Sequence, residues 1–138
     1  MSPADRLRLL VVDDSAVVGS RLLAVLGSIP DVEVLPQAWS VASARRAFFE
    51  GGPDVVVTDF DLPDGTGLDV IRHVKRVWPW TVVVVLTYEN LPAFRRPCLE
   101  AGAEFFFDKA TEVDDLVRLI EGLLGARPRT PSGPEARA

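Results

Sequence analysis

Four apolar runs in this chain each end in residues able to handle phosphate. Asp13 and Asp14 follow Leu9-Leu10-Val11-Val12, Asp59 follows Val55-Val56-Val57-Thr58, Thr87 follows Val82 to Leu86, and Lys109 follows Phe105-Phe106-Phe107-Asp108. In an open parallel sheet, ligands gather in the crevice outside the carboxyl ends of the strands, so these distant positions are expected to meet there. Carboxylates about 4 Å apart repel by roughly 4 kcal/mol at the effective dielectric of a protein surface, so such a trio calls for a cation. Mg²⁺ suits it, because it prefers oxygen ligands, keeps several waters and uses one or two carboxylates plus a phosphate. Asp59, one residue past a Val-rich run and before the turn residues Pro63 and Gly65, is the candidate nucleophile. Its attack on phosphorus gives an acyl phosphate whose oxygens need Mg²⁺, the Lys109 ammonium and the Thr87 hydroxyl as partners.

The runs that must carry these residues are apolar on successive positions, as in strands covered on both faces. Helical patterns separate them. Val18, Leu22, Val25, Leu26 and Ile29 keep helical spacing after a cap at Asp14 or Ser15, and a second helix starts at Ser40 and buries Ala44, Ala47 and Phe48 before Gly51-Gly52-Pro53. A third begins near Gly67 with Val70, Ile71, Val74 and Val77 inward and ends before Pro79. The last starts at a Thr111/Asp114 capping box and shows one stripe from Val113 to Leu124 before Gly125. Val32-Glu33-Val34-Leu35, short and closed by Pro36, reads as an edge strand. The βαβαβαβαβα alternation predicts an α/β fold with a doubly wound parallel sheet and right-handed crossovers.

The chain has 138 residues, enough for one domain with a sizeable core. Residues 127 to 138, from Arg127-Pro128-Arg129 onward, are too poor in apolar side chains to fold, so the domain is expected over 1–126 with a disordered tail. The single cysteine, Cys98, supports neither a disulfide framework nor a thiolate cluster and reads as a buried small hydrophobe in a cytoplasmic protein. A net charge of −5 argues against direct DNA binding, and no apolar run approaches the length of a membrane span. His73, on the helix face opposite Val70 and Val74, reads as a solvated side chain.

The residues above resemble a response-regulator receiver domain: Asp13-Asp14 after the first strand, Asp59 followed by Phe60-Asp61-Leu62-Pro63-Asp64-Gly65, Thr87 closing the fourth strand and Lys109 the fifth, a match from about Leu7 to Gly125. The resemblance implies a five-stranded flavodoxin-like (βα)5 sheet in the order 2-1-3-4-5 and phosphorylation of Asp59 by a histidine kinase or histidine phosphotransfer protein. It also implies Mg²⁺ held by Asp14 and Asp59 directly, by Asp13 through water and by the Asp61 carbonyl, with Thr87 and Phe106 as the switch pair. With no enzyme activity beyond this self-catalysed transfer and loss of phosphate, a stand-alone protein of this kind signals through contact with a downstream protein.

The chain departs from the family pattern at several positions. Ala110 follows Lys109 where proline after a cis peptide is common, Tyr88 follows Thr87 where a small residue is usual, and Phe106 lacks the hydroxyl of the frequent tyrosine. Pro97 lies within the expected fourth helix, Leu91 to Ala101, and predicts a short, kinked or late-starting helix. Two other readings compete. Asp59-Phe60-Asp61 with Gly65-Thr66 resembles the nucleophile segment of haloacid-dehalogenase-type phosphatases, but Asp13-Asp14 precede it where the second acidic pair of that family comes later. A receiver-like module that binds partners independently of phosphorylation is the other, although all five key positions are filled.

Overall fold

A computed structural model of the chain describes residues 6–49, 52–88 and 92–126. The elements in chain order are β1 (Leu7–Val12), α1 (Ala16–Gly27), β2 (Val32–Val34), α2 (Val41–Phe49), β3 (Val55–Thr58), β4 (Asp61–Leu62), β5 (Gly65–Thr66), α3 (Gly67–Val77), β6 (Val82–Thr87), α4 (Pro92–Ala101), β7 (Phe105–Asp108) and α5 (Val113–Ala126). Five strands form one parallel sheet in the order β2-β1-β3-β6-β7, the order expected for the main strands. The additional β4 and β5 make a small antiparallel hairpin just after Asp59. β2 is a three-residue edge strand paired only with β1.

Strand periodicity divides the apolar runs between two cores. Leu10, Val12, Val56, Val83 and Val85 face the layer of α2, α3 and α4, where they meet Phe48, Ile71, Val74 and Cys98. Leu9, Val11, Val55, Val57, Val84 and Leu86 face α1 and α5 and meet Leu22, Leu26, Leu116 and Ile120. With both faces covered, β1, β3 and β6 have no polar side to show, which is why their sequences do not alternate.

Local signals set the helix starts. Ser15 caps α1 by accepting the Val18 N–H at 3.1 Å. Thr66 and Asp69 form a reciprocal capping box on α3, with the Asp69 carboxylate accepting the Thr66 N–H at 2.9 Å. α2 is capped from within and from outside: Ser40 Oγ accepts the Ser43 N–H at 3.0 Å, while Asp64 in the β4–β5 turn accepts the N–H groups of Val41 at 2.7 Å and Ala42 at 3.0 Å. Those two backbone donors, Ala42 first, pull the Asp64 carboxyl below the usual aspartate range.

Several local expectations change. α4 runs from Pro92 to Ala101 without interruption although Pro97 lies inside it, so the short or late-starting helix is not found. Proline at that point removes one N–H from the middle of the helix, and the buried Cys98 and the packing of α3 against α4 hold the turn. Leu91, the expected first residue, lies outside the described residues. α5 continues through Gly125 to Ala126, and the side chain that closes its entry is Glu112, which accepts the Asp108 N–H at 2.7 Å, rather than Thr111. Val77, the last residue of α3, is exposed rather than inward. Gly51 and the tail 127–138 also lie outside the described residues.

Candidate functional site

Ladder register brings the candidate residues level. Val12 pairs with Thr58 and Thr58 with Val85, so the residues just beyond β1 and β3 emerge side by side. The Asp59 N–H donates to Val12 O at 2.8 Å and the Lys109 N–H to Thr87 O at 3.0 Å, extending both pairings one step past the strands. Asp13, Asp59, Thr87 and Lys109 are therefore fixed by sheet hydrogen bonds rather than by loop conformation.

Carboxylate oxygens of Asp13, Asp14 and Asp59 lie within 4.8 Å of one another. Asp13 is buried, Asp59 half-buried and Asp14 exposed. The Lys109 ammonium reaches up from beneath, 2.6 Å from Asp13 Oδ2 and 2.9 Å from Asp59 Oδ2. Burial alone would lower its pKa, but hydrogen bonds and charge from Asp13 and Asp59 outweigh that and raise it, so Lys109 stays cationic. The peptide bond to Ala110 is trans, as are all the described bonds, and Lys109 still reaches the acids.

Above this layer is an open pocket of about 250 Å³ whose lining includes Asp14, Asp59, Asp61, Thr87 and Tyr88. Tyr88 is largely exposed, with the Lys109 ammonium 5.3 Å from its ring centroid. Asp59 Oδ1 accepts the Phe60 N–H at 2.6 Å, which orients the carboxylate toward the pocket. Behind it, a Cβ on Gly67 would lie 2.8 Å from the Asp59 carbonyl oxygen, so α3 can approach this closely only with glycine there.

The donor set fits a divalent cation. A single ammonium faces three carboxylates, all ligand atoms are oxygen, and the pocket has room for the waters that Mg²⁺ keeps. The Asp13, Asp14 and Asp59 carboxylates are the groups close enough together to hold it, and Asp61 lines the pocket beside them.

Phe106 lies apart from the pocket. It is buried among the α2–α4 core residues, with the Arg95 guanidinium 5.9 Å from its ring centroid and donating to Phe106 O at 3.2 Å. His73 is half-buried rather than solvated, edge-on to Phe48 at 5.9 Å. Burial first, then the charges of Arg45 and Arg76, lower its pKa.

Two contributors near the site escaped the reading of the sequence. Gln37 donates to the Asp13 carbonyl at 2.6 Å, a contact between β1 and the segment after β2 that no periodicity signals. Asp64 was visible only as part of a turn, and its role as a cap on α2 depends on tertiary contact.

Residues 9–121 match the family model described as the response regulator receiver domain. The chain is 39% identical over 98 residues to a protein-glutamate methylesterase/protein-glutamine glutaminase of Agrobacterium fabrum, covering 70% of this chain and 28% of that protein. It is 30% identical over 120 residues to the DNA-binding transcriptional activator DevR/DosR of Mycobacterium tuberculosis, covering 87% of this chain and 55% of that one. Among solved structures, a LuxR-family two-component response regulator from Aurantimonas sp. SI85-9A1 superposes with a TM-score of 0.80 at 29% identity over 88% of this chain and 87% of that one. The response regulator domain of Thermotoga maritima CheB gives 0.77 at 25% identity over 89% and 99%. The chain thus spans roughly a quarter to a half of the curated relatives it matches.

Proposed function

The chain belongs to the response regulator receiver domain family of two-component signalling proteins, and from that premise we propose that it accepts a phosphoryl group on Asp59 from a histidine kinase or histidine phosphotransfer protein. The observation that carries the reading is the Lys109 ammonium bonded at once to buried Asp13 and to half-buried Asp59 beneath an open acidic pocket. A carboxylate held this way is oriented, paired with a cation and reachable.

In the reaction an Asp59 carboxylate oxygen attacks phosphorus, the new P–O bond forms as the P–N bond to the donor imidazole breaks, and the imidazole leaves with the electron pair. Lys109, held cationic, meets the charge on the phosphoryl oxygens, and Thr87, a lining residue of the same pocket, would offer its hydroxyl as a further partner. Bound Mg²⁺ would supply charge neutralisation and an in-line template. Asp13, Asp14, Asp59 and the Asp61 carbonyl would hold it.

The output is a population shift. Phe106 already lies inward, so phosphorylation drawing Thr87 toward the phosphoryl group favours an arrangement the protein reaches without it. A swing from 1:99 to 99:1 takes about 5.5 kcal/mol of differential stabilisation. The signal leaves by protein contact, and the acidic net charge disfavours direct DNA binding by these residues.

Intact-protein mass measurement after incubation with acetyl phosphate and Mg²⁺ tests the reading. One added phosphoryl group per chain, lost in Asp59→Ala, is expected; equal uptake by the variant overturns it.

A further inference from the structure

Asp13 and Asp14 are neighbours in sequence, and the peptide between them determines how their side chains diverge into the site. Its carbonyl belongs to Asp13, and that oxygen lies just beyond the end of β1. Strand pairing covers part of this turn, because the Asp13 N–H donates to Ala38 O at 3.0 Å and the Ala38 N–H to Val11 O at 2.9 Å. The Asp13 carbonyl is taken by a side chain: Gln37 Nε2 donates to it at 2.6 Å and approaches the Ser15 carbonyl at 3.5 Å. Asp13 Oδ1 meanwhile accepts the Ser15 N–H at 2.8 Å, so turn and amide form one hydrogen-bonded unit.

The amide is held from its other side by α1. A Cβ built on buried Gly19 would fall 2.3 Å from Gln37 Nε2 and 2.5 Å from Oε1. Any side chain at 19 displaces the Gln37 amide, the flexible partner in the pair. A side chain at Gly19, outside the pocket, therefore acts on the acidic turn through Gln37, while the Gly19 N–H keeps its bond to Ser15 O at 2.9 Å.

We infer that Gln37 is a positioning residue for the cation site: it pins the Asp13–Asp14 peptide so that both carboxylates face the same ion, with Gly19 keeping the space the amide needs. The inference rests on the proposed function, since it concerns the Mg²⁺ which that reading requires. Groups that orient metal ligands without touching the metal typically affect affinity by tenfold or more when removed.

The test is a double-mutant cycle read by Mg²⁺ titration in a calorimeter, with urea unfolding measured in the absence of the ion. Gln37→Ala is expected to weaken Mg²⁺ binding about tenfold, and Gln37→Met, which keeps the bulk but donates nothing, to weaken it similarly. Gly19→Ala should weaken binding in the wild-type background and have no further effect beside Gln37→Ala. Alanine is the better helix former, so in that second background it should raise the urea midpoint, separating affinity from stability. Wild-type affinity in Gln37→Met, or an undiminished effect of Gly19→Ala beside Gln37→Ala, overturns the inference while leaving the proposed function standing. Failure of the wild type to bind Mg²⁺ removes both.

Discussion

Lys109 Nζ lies 2.6 Å from Asp13 Oδ2, with both side chains at most 4% exposed, although 96 positions separate them in sequence. This pair links β7 to β1 across the width of the central strands and sets the charge balance of the site. Its energetic signature is asymmetric: intact, it compensates two burials; broken, it leaves one charge uncompensated.

Replacing Lys109 by alanine should therefore destabilise the metal-free protein by about 3–5 kcal/mol. Mg²⁺ should restore more stability to the variant than it adds to the wild type, since the cation then has Asp13 and Asp59 to itself. Urea unfolding with and without the ion checks both statements, and a variant as stable as wild type in chelator contradicts them.

Mg²⁺ should raise the wild-type unfolding midpoint by mass action, with about 2.7 kcal/mol expected at a concentration one hundred times Kd. Asp14→Asn should lose most of that gain while unfolding in chelator at or slightly above the wild-type midpoint, because an exposed member of the carboxylate cluster is gone. Thermal scans in EDTA and in Mg²⁺ give the answer.

Tyr88 covers one side of the pocket and lies over the Lys109 ammonium. A ring there screens an acyl phosphate from attacking water, so Tyr88→Ala should release phosphate faster than wild type. An unchanged or slower rate would remove the shielding role.

Asp64 gives a pH dependence of known sign. Its folded pKa is depressed by the Ala42 and Val41 N–H groups, so its stabilising effect is present at neutral pH and is lost as pH falls through that depressed value. The stability difference between wild type and Asp64→Ala should shrink as pH is lowered below the ordinary aspartate range. A constant difference across that range would show that the carboxylate does not act as a charged cap.

How much of this was legible in the sequence depended on whether a signal was local. The alternation of strands and helices along the chain, and the gathering of residues 13, 14, 59, 87 and 109 at the carboxyl ends of the strands, followed from local patterns, while the order of strands in the sheet came with the family resemblance. The two-sided burial of β1, β3 and β6 explains why, since apolar runs of that kind leave few alternatives. Gln37 and Asp64 carried no local pattern, because each acts on an element distant in sequence. Pro97 misled for the opposite reason: its local cost is real, yet one lost hydrogen bond is outweighed by α4 packing on the core through Cys98. Phe106, assigned with Thr87 to the switch pair by resemblance, has its ring already inward.

The most direct measurement is chemical mapping of the acceptor. Acetyl phosphate with Mg²⁺, followed by borohydride reduction of the acyl phosphate and peptide mass mapping, should place the reduced residue at position 59 alone, with none in EDTA or in Asp59→Asn. Reduction at another carboxylate, or the same yield from Asp59→Asn, would contradict the account.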